Sequence, residues 1–261
     1  MKFGFVGAGN MGGAIIGGMV NKYDAENIFA FDKNIEVLNS LSSQYGVKTV
    51  FDIKEVLKCD FLFLCVKPNF IEDVILDIKD DVSEDTTVIS IAAGKSIGFI
   101  EQAFGKDVGI VRVMPNTPAL VGAGMSAICS NNKVLEEKLL IVKDVFSSLG
   151  NAECVTENLM DAVTGISGSS PAYVFMFIEA LADAAVQGGM TRDRAYEFAA
   201  WAVMGSAKMV IETKRHPGEL KDMVCSPGGT TIDAVASLEQ DGFRNAVMRA
   251  VKVCIEKSKK M

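Results

Sequence analysis

The sequence predicts an α/β fold: a doubly wound sheet in residues 1–156, followed by an all-helical domain in 157–261. Three observations predict it. Up to about Thr156, short apolar runs alternate with segments of helical spacing, the pattern of βαβ units. After Glu157 the β-branched runs stop, and Ala, Met and Leu fill long stretches of helical period. The first apolar run, Phe3–Val6, leads directly into Gly7-x-Gly9-x-x-Gly12, the turn expected of a Rossmann-type dinucleotide-binding unit.

Strands are expected at Phe3–Val6, Ile28–Phe31, Phe61–Val66, Thr87–Ile91, Ile110–Val113 and Ser126–Cys129. Their nearly unbroken apolar character suits a parallel sheet covered on both faces. Helical spacing marks Met11–Val20, Ile35–Gln44, Ile71–Ile78 and Val134–Leu149 in the first half. In the second half it marks Pro171–Gln187, Arg192–Thr213, Thr230–Leu238 and Phe243–Lys257, with Gly188-Gly189 and Pro217-Gly218 as breaks. Pro171–Gln187 is apolar around most of its circumference, with Glu179 and Asp183 as one narrow polar stripe. A helix apolar nearly all round must be buried nearly all round. About 105 residues of helix cannot do that alone, so an obligate dimer with intertwined helices is expected. The simpler alternative is burial against the first domain.

The chain has 261 residues, with 26 basic and 33 acidic side chains, for a net charge of −7. That balance excludes a basic stripe able to displace counterions from nucleic-acid phosphates. An apolar content of 49% excludes intrinsic disorder. The start, MKFGFVGAGN, reads as a strand and a glycine turn rather than a secretory leader. Glu179 and Asp183 interrupt the richest apolar window, so no membrane span is expected. Six cysteines without a C-x-x-C pair read as reduced, mostly buried thiols of a cytoplasmic protein. With His216 the one histidine, no metal site is expected.

Three features carry chemistry. The glycine turn lets backbone approach a pyrophosphate seated on the following helix N-terminus. Asp32, 20 residues after Gly12, stands where a carboxylate accepts from a ribose 2′-hydroxyl, and Lys33 beside it would pair with a 2′-phosphate; NADH and NADPH both fit. Loops after apolar strands, Cys65–Pro68, Ala92–Gly94 and Met114–Pro118, should line the cofactor cleft, because ligands bind at the carboxyl ends of such strands. Third, Ser226-Pro227-Gly228-Gly229-Thr230-Thr231 opens a helix and offers unpaired N–H groups, a positive dipole end and hydroxyls to an anion. Ser167–Pro171 is a second helix start of this kind. The helical half shows no histidine or lysine in the setting of a strong base, which suits hydride delivery to an already cationic C=N better than oxidation of an alcohol.

The motifs GAGNMG at the start, VKP at 66–68, RVMPNTP at 112–118, DAVTGISGSSPAY at 161–173 and HPGELKDMVCSPGGTTI at 216–232 together resemble the pyrroline-5-carboxylate reductase family, end to end and in order. The resemblance implies a helical dimerisation domain, rings of dimers (decamers) in many members, and reduction of 1-pyrroline-5-carboxylate to proline. Carried over by position, Val6, Gly7, Ala8, Gly9, Asn10 and Met11, then Cys65, Val66, Lys67 and Pro68, then Ile91, Ala92 and Ala93 would hold the dinucleotide, with Gly12, Asp32 and Lys33 as read above. Ser226, Gly228, Gly229 and Thr230 would bind the substrate carboxylate, and Thr231 the ring nitrogen as the catalytic contact. Glu157 would also face the substrate. Ser170 and Ala234 stand where the family usually has glycine. A 3-hydroxy-acid reductase shares the glycine turn but needs a catalytic lysine in the helical domain, which no motif here places. A dinucleotide sensor without turnover would show no substrate-dependent loss of NAD(P)H absorbance.

Overall fold

A computed structural model describes residues 1–261 as two compact units, Met1–Ser169 with Cys254–Met261, and Ser170–Val253. The first unit is built on eight strands: β1 (Phe3–Val6), β2 (Ile28–Phe31), β3 (Lys48–Val50), β4 (Phe61–Leu64), β5 (Thr87–Ser90), β6 (Gly109–Met114), β7 (Gly124–Ser130) and β8 (Gly150–Cys154). They form one sheet in the order β3-β2-β1-β4-β5-β6-β7-β8. All neighbours are parallel except β6 and β7, which correct the expected all-parallel sheet. The short turn Thr117–Val121 replaces a crossover helix there, and only an antiparallel pair can be joined so briefly.

Period-two alternation divides the core. Phe3, Phe5 and Phe63 face one side and pack with Ile15, Ile16, Leu38 and Phe146 from α1 (Asn10–Met19), α2 (Ile35–Tyr45) and a helix further along the chain, α5. Leu62, Leu64 and Val88 face the other side, against Ile71, Ile75 and Ile100 of α3 (Ile71–Ile78) and α4 (Ile97–Phe104). The helix carrying Phe146, α5, spans Glu136–Ser147. Phe5 and Phe63 are register partners whose rings stack at 4.5 Å. After β8, α6 (Met160–Val163) runs into a π turn at Thr164–Gly168.

The second unit contains α7 (Ser170–Gln187), α8 (Arg192–Thr213), α9 (Pro217–Val224), α10 (Thr230–Gln240) and most of α11 (Phe243–Ser258). α7 packs along α8 through the small residues Ala182, Ala195 and Ala199, which are buried. Most of the apolar surface stays bare: Phe175, Met176, Phe198 and Trp201 are each about 59–68% exposed. The stretch Glu157–Gln187 is long and apolar enough to cross a membrane by length and composition.

The structure adds elements that the periodicity did not show. β3 is three residues long, and β8 is a polar edge strand. α4 is an eight-residue helix capped by Ser96, whose Oγ accepts the Phe99 N–H at 3.1 Å. Pro217-Gly218, read as a break, begins α9 instead: proline at the first helical position lacks an N–H that would have no partner anyway. The cysteines are free thiols: Cys59 and Cys129 are buried, Cys65, Cys225 and Cys254 are partly buried, and Cys154 is exposed.

Candidate active site

The strand order reverses beside β1, which pairs with β2 on one side and β4 on the other. Ligands of open α/β sheets bind at such a switch point, outside the carboxyl ends of the strands. The glycine turn leaves β1 there. Gly7 has φ +90°, and its N–H donates to the Phe31 carbonyl at 2.9 Å. A Cβ on Gly7 would lie 2.7 Å from the Cys65 carbonyl oxygen, and one on Gly12 would lie 2.5 Å from the Gly7 carbonyl oxygen. These two glycines let strand, turn and helix pack. Gly9 differs. It is the N-cap of α1, supplies no side-chain cap, and a Cβ there would meet nothing within 4 Å.

Of the residues predicted to hold a dinucleotide, Gly9, Asn10, Met11, Cys65, Val66, Lys67, Pro68, Ile91 and Ala93 line one cleft of about 510 Å³, joined by Met114 and Pro115. Val6, Gly7, Ala8, Gly12 and Ala92 do not line it; Val6 at the end of β1 and Ala92 in the loop after β5 are buried. The Asp32 carboxylate braces the turn: Oδ2 accepts the Ala8 N–H at 2.7 Å, and Oδ1 accepts the Asn34 N–H at 2.9 Å. Lys33 beside it is exposed. Burial pushes the Cys65 thiol far above its ordinary range, so it lines the cleft as a neutral group. The bare α1 N-terminus and the missing Cβ at Gly9 fit a pyrophosphate.

Two struts that motif reading missed hold the cleft loops. Asn116 accepts the Met125 N–H on Oδ1 at 2.9 Å and donates through Nδ2 to the Ser167 carbonyl and hydroxyl, both at 3.2 Å. That fixes the loop bearing Met114 and Pro115 onto the π turn. Arg112, buried on β6, donates through Nη1 to Glu157 Oε1 at 3.1 Å, and the same oxygen accepts the Ile97 N–H at 2.7 Å. The signal available in the sequence was a single charged residue inside the apolar run GIVRVM.

In the helical unit, Ser226–Gly229 is a tight turn in which the Gly229 N–H donates to the Ser226 carbonyl at 3.0 Å. Gly228 has φ +65° and open space where a Cβ would stand, whereas a Cβ on Gly229 would strike Ser226 Oγ at 2.4 Å. Gly229 is the N-cap of α10 and gives no side-chain cap, so Thr230 and Thr231 enter the helix with its dipole end uncovered. The one histidine is engaged otherwise: His216 Nδ1 accepts the Gly218 N–H at 3.0 Å and caps α9. Glu157 belongs to the first unit and the 226–231 set to the second.

Residues 157–261 match the model for the pyrroline-5-carboxylate reductase dimerisation domain, and residues 2–94 match that for coenzyme F420-dependent NADP oxidoreductases. Over the whole chain the sequence is 49% identical to pyrroline-5-carboxylate reductase of Escherichia coli, covering 98% of that protein. The chain belongs to the pyrroline-5-carboxylate reductase family. The Methanosarcina acetivorans enzyme of that name is 43% identical, with 100% of this chain and 97% of that protein covered. Among solved structures, pyrroline carboxylate reductase of Plasmodium falciparum with NADP bound superposes at a TM-score of 0.90, with 36% identity over 100% of this chain and 97% of that one. The Coxiella burnetii reductase gives 0.93, with 34% identity over 99% and 97%. For this reductase, the bare faces of α7 and α8 are therefore those of a dimerisation domain.

Proposed function

We propose that this reductase converts 1-pyrroline-5-carboxylate to L-proline with NADPH or NADH, the last step of proline biosynthesis. Full-length similarity to reductases of that name supports the reaction. We place the functional division at 156/157, with the dinucleotide in the first part and dimerisation and substrate binding in the second. The cofactor supplies the hydride that reduces the C=N bond. The residues of this chain bind and orient. The first turn of α1 takes the pyrophosphate, Asp32 and Lys33 take the adenosine ribose end, and the cleft between Met11, Pro68, Ala93 and Pro115 takes the nicotinamide. The Ser226–Thr230 turn takes the substrate carboxylate through hydroxyls and N–H groups at the uncapped start of α10. Thr231 accepts from the protonated ring nitrogen, holding the iminium form whose carbon is the better hydride acceptor. Orienting two reactants in this way is worth about 7–11 kcal/mol of barrier.

The single observation that carries the substrate site is the bare N-terminus of α10 behind two glycines. Thr231→Val tests it. Loss of a hydrogen bond to a charged group, about 1.5–3 kcal/mol, should lower turnover roughly 10- to 150-fold. NADPH affinity by direct titration should stay unchanged, and turnover equal to wild type would remove Thr231 from the mechanism. We further propose a cytoplasmic protein without membrane or nucleic-acid partners. Its net charge of −7 and its six free thiols support that, and the apolar stretch at 157–187 falls within the dimerisation match. Rings of dimers are the proposed assembly, and sedimentation reads whether the particle is a dimer or a decamer.

A further inference from the structure

Glu157 was expected at the substrate, yet its carboxylate points to a different task. Arg112 is 7% exposed and enters the sheet between Ser90 of β5 and Cys129 of β7, so its charge needs a partner. Glu157 Oε1 meets that charge at 3.1 Å and takes the Ile97 N–H at 2.7 Å. Ile97 is the first residue of α4, so this bond satisfies an N–H that the helix itself leaves open. Together with the Ser96 cap it fixes the start of α4 at two points. The segment between β5 and α4 is only six residues, 91–96, and its Ile91 and Ala93 are walls of the cofactor cleft. Ala92 is pinned behind them, its N–H donating to the buried Ser90 hydroxyl at 3.3 Å.

We propose that Glu157 is a positioning residue for the cofactor: charged to Arg112 and bonded to the Ile97 N–H, it holds the 91–96 loop in the shape that receives the nicotinamide end of NAD(P)H. This rests on the reading of the cleft as the dinucleotide site. In a short loop, one end cannot shift without moving the other, so release at Ile97 is felt at Ala93. Glu157 thus acts on cofactor affinity without touching the imine acid.

The test uses Glu157→Gln, Glu157→Ala and the double variant Arg112→Met/Glu157→Met. The double variant removes both charges together and keeps the site packed, so a fold lost through an orphaned arginine does not obscure the answer. Three quantities are read: NADPH affinity by nicotinamide fluorescence, hydrogen exchange of the Ile97 amide, and separate KM values for cofactor and imine acid. Glu157→Ala and the double variant should weaken NADPH binding about tenfold, the equivalent of one good hydrogen bond, and speed Ile97 exchange by at least as much. Glu157→Gln, which keeps an acceptor oxygen for Ile97, should stay within about twofold of wild type in both, and the imine-acid KM should not move in any variant. A raised imine-acid KM with unchanged NADPH affinity would overturn the proposal in favour of substrate contact. In Glu157→Ala or the double variant, a lower Tm with unchanged NADPH affinity and Ile97 exchange would overturn it in favour of a role in stability alone. If NADPH left the fluorescence of even the wild-type protein unchanged, the cleft reading itself would fall.

Discussion

Replacing Gly7 or Gly9 by alanine should separate packing from ligand binding within one turn. At Gly7, φ is +90°, which costs an L-residue roughly 1–2 kcal/mol, and the new methyl would sit 2.7 Å from the Cys65 carbonyl oxygen. The Cys65 backbone is tied to β1 by its N–H, which donates to the Val6 carbonyl at 2.8 Å, so it has little room to yield, and overpacking adds about 1–3 kcal/mol. Alanine recovers about 0.4–1 kcal/mol by restricting the unfolded chain. The net loss is about 1–5 kcal/mol, or a Tm lower by roughly 2–18 °C for a unit of this size. At Gly9 the backbone is at φ −63°, and the methyl would project into open space. Gly9→Ala should therefore leave Tm unchanged or slightly raised. The same methyl stands between the backbone and the pyrophosphate. Losing one charge-assisted hydrogen bond, about 1.5–3 kcal/mol, weakens NADPH roughly 10- to 150-fold. Thermal unfolding by circular dichroism and NADPH titration by fluorescence read the two effects. A Gly9→Ala protein that melts as low as Gly7→Ala, or that binds NADPH like wild type, would refute the division of roles.

Other outcomes follow from the same structure. Trp201→Glu places a charge on the exposed apolar face of α8 and should shift the protein to monomers by light scattering; an unchanged mass would place Trp201 outside the dimer contact. Lys214 ends α8 at φ +56°, a conformation that costs a non-glycine residue about 1 kcal/mol, so Lys214→Gly should raise stability by up to that amount in denaturant titration; a loss of stability would count against it. The Tyr23 hydroxyl donates to Asp144 Oδ2 at 2.9 Å, and burial together with that carboxylate pushes its pKa up to about 12. The folded form holds the phenol proton more tightly than the unfolded chain, so this contribution to stability is complete below pH 10 and is lost as pH rises through about 12. Phenolate absorbance should show a late-titrating tyrosine in wild type that is lost in Tyr23→Phe.

Much of this was legible in the sequence, because the strongest signals are local. Runs such as FGFV and FLFL can only be central strands, and GAGNMG fixes a turn by what glycine alone permits. The match was poorest where structure depends on partners distant in sequence. β3 has no pattern of its own and exists because Lys48–Val50 meets the far side of β2. The direction of β7 was hidden because an apolar strand reads alike in either sense, and only the brevity of its preceding turn decides it. Asp32 was read as a ribose contact and Glu157 as a substrate contact. Their hydrogen bonds to Ala8 and Ile97, 24 and 60 residues away in the chain, could not be read from spacing. The 226–229 turn was legible as a helix start because a proline, two glycines and hydroxyls directly precede the apolar helical run from Ile232.

The bare aromatic and methionine faces of α7 and α8 tie the stability of this reductase to its own abundance. By mass action, any contact that forms only in the associated state adds free energy that grows with the logarithm of concentration and vanishes on dilution. A dilute preparation should therefore melt earlier than a concentrated one. In a cell, a freshly made chain carries a sticky surface until it meets its twin, so synthesis from neighbouring ribosomes would favour correct pairing over clumping.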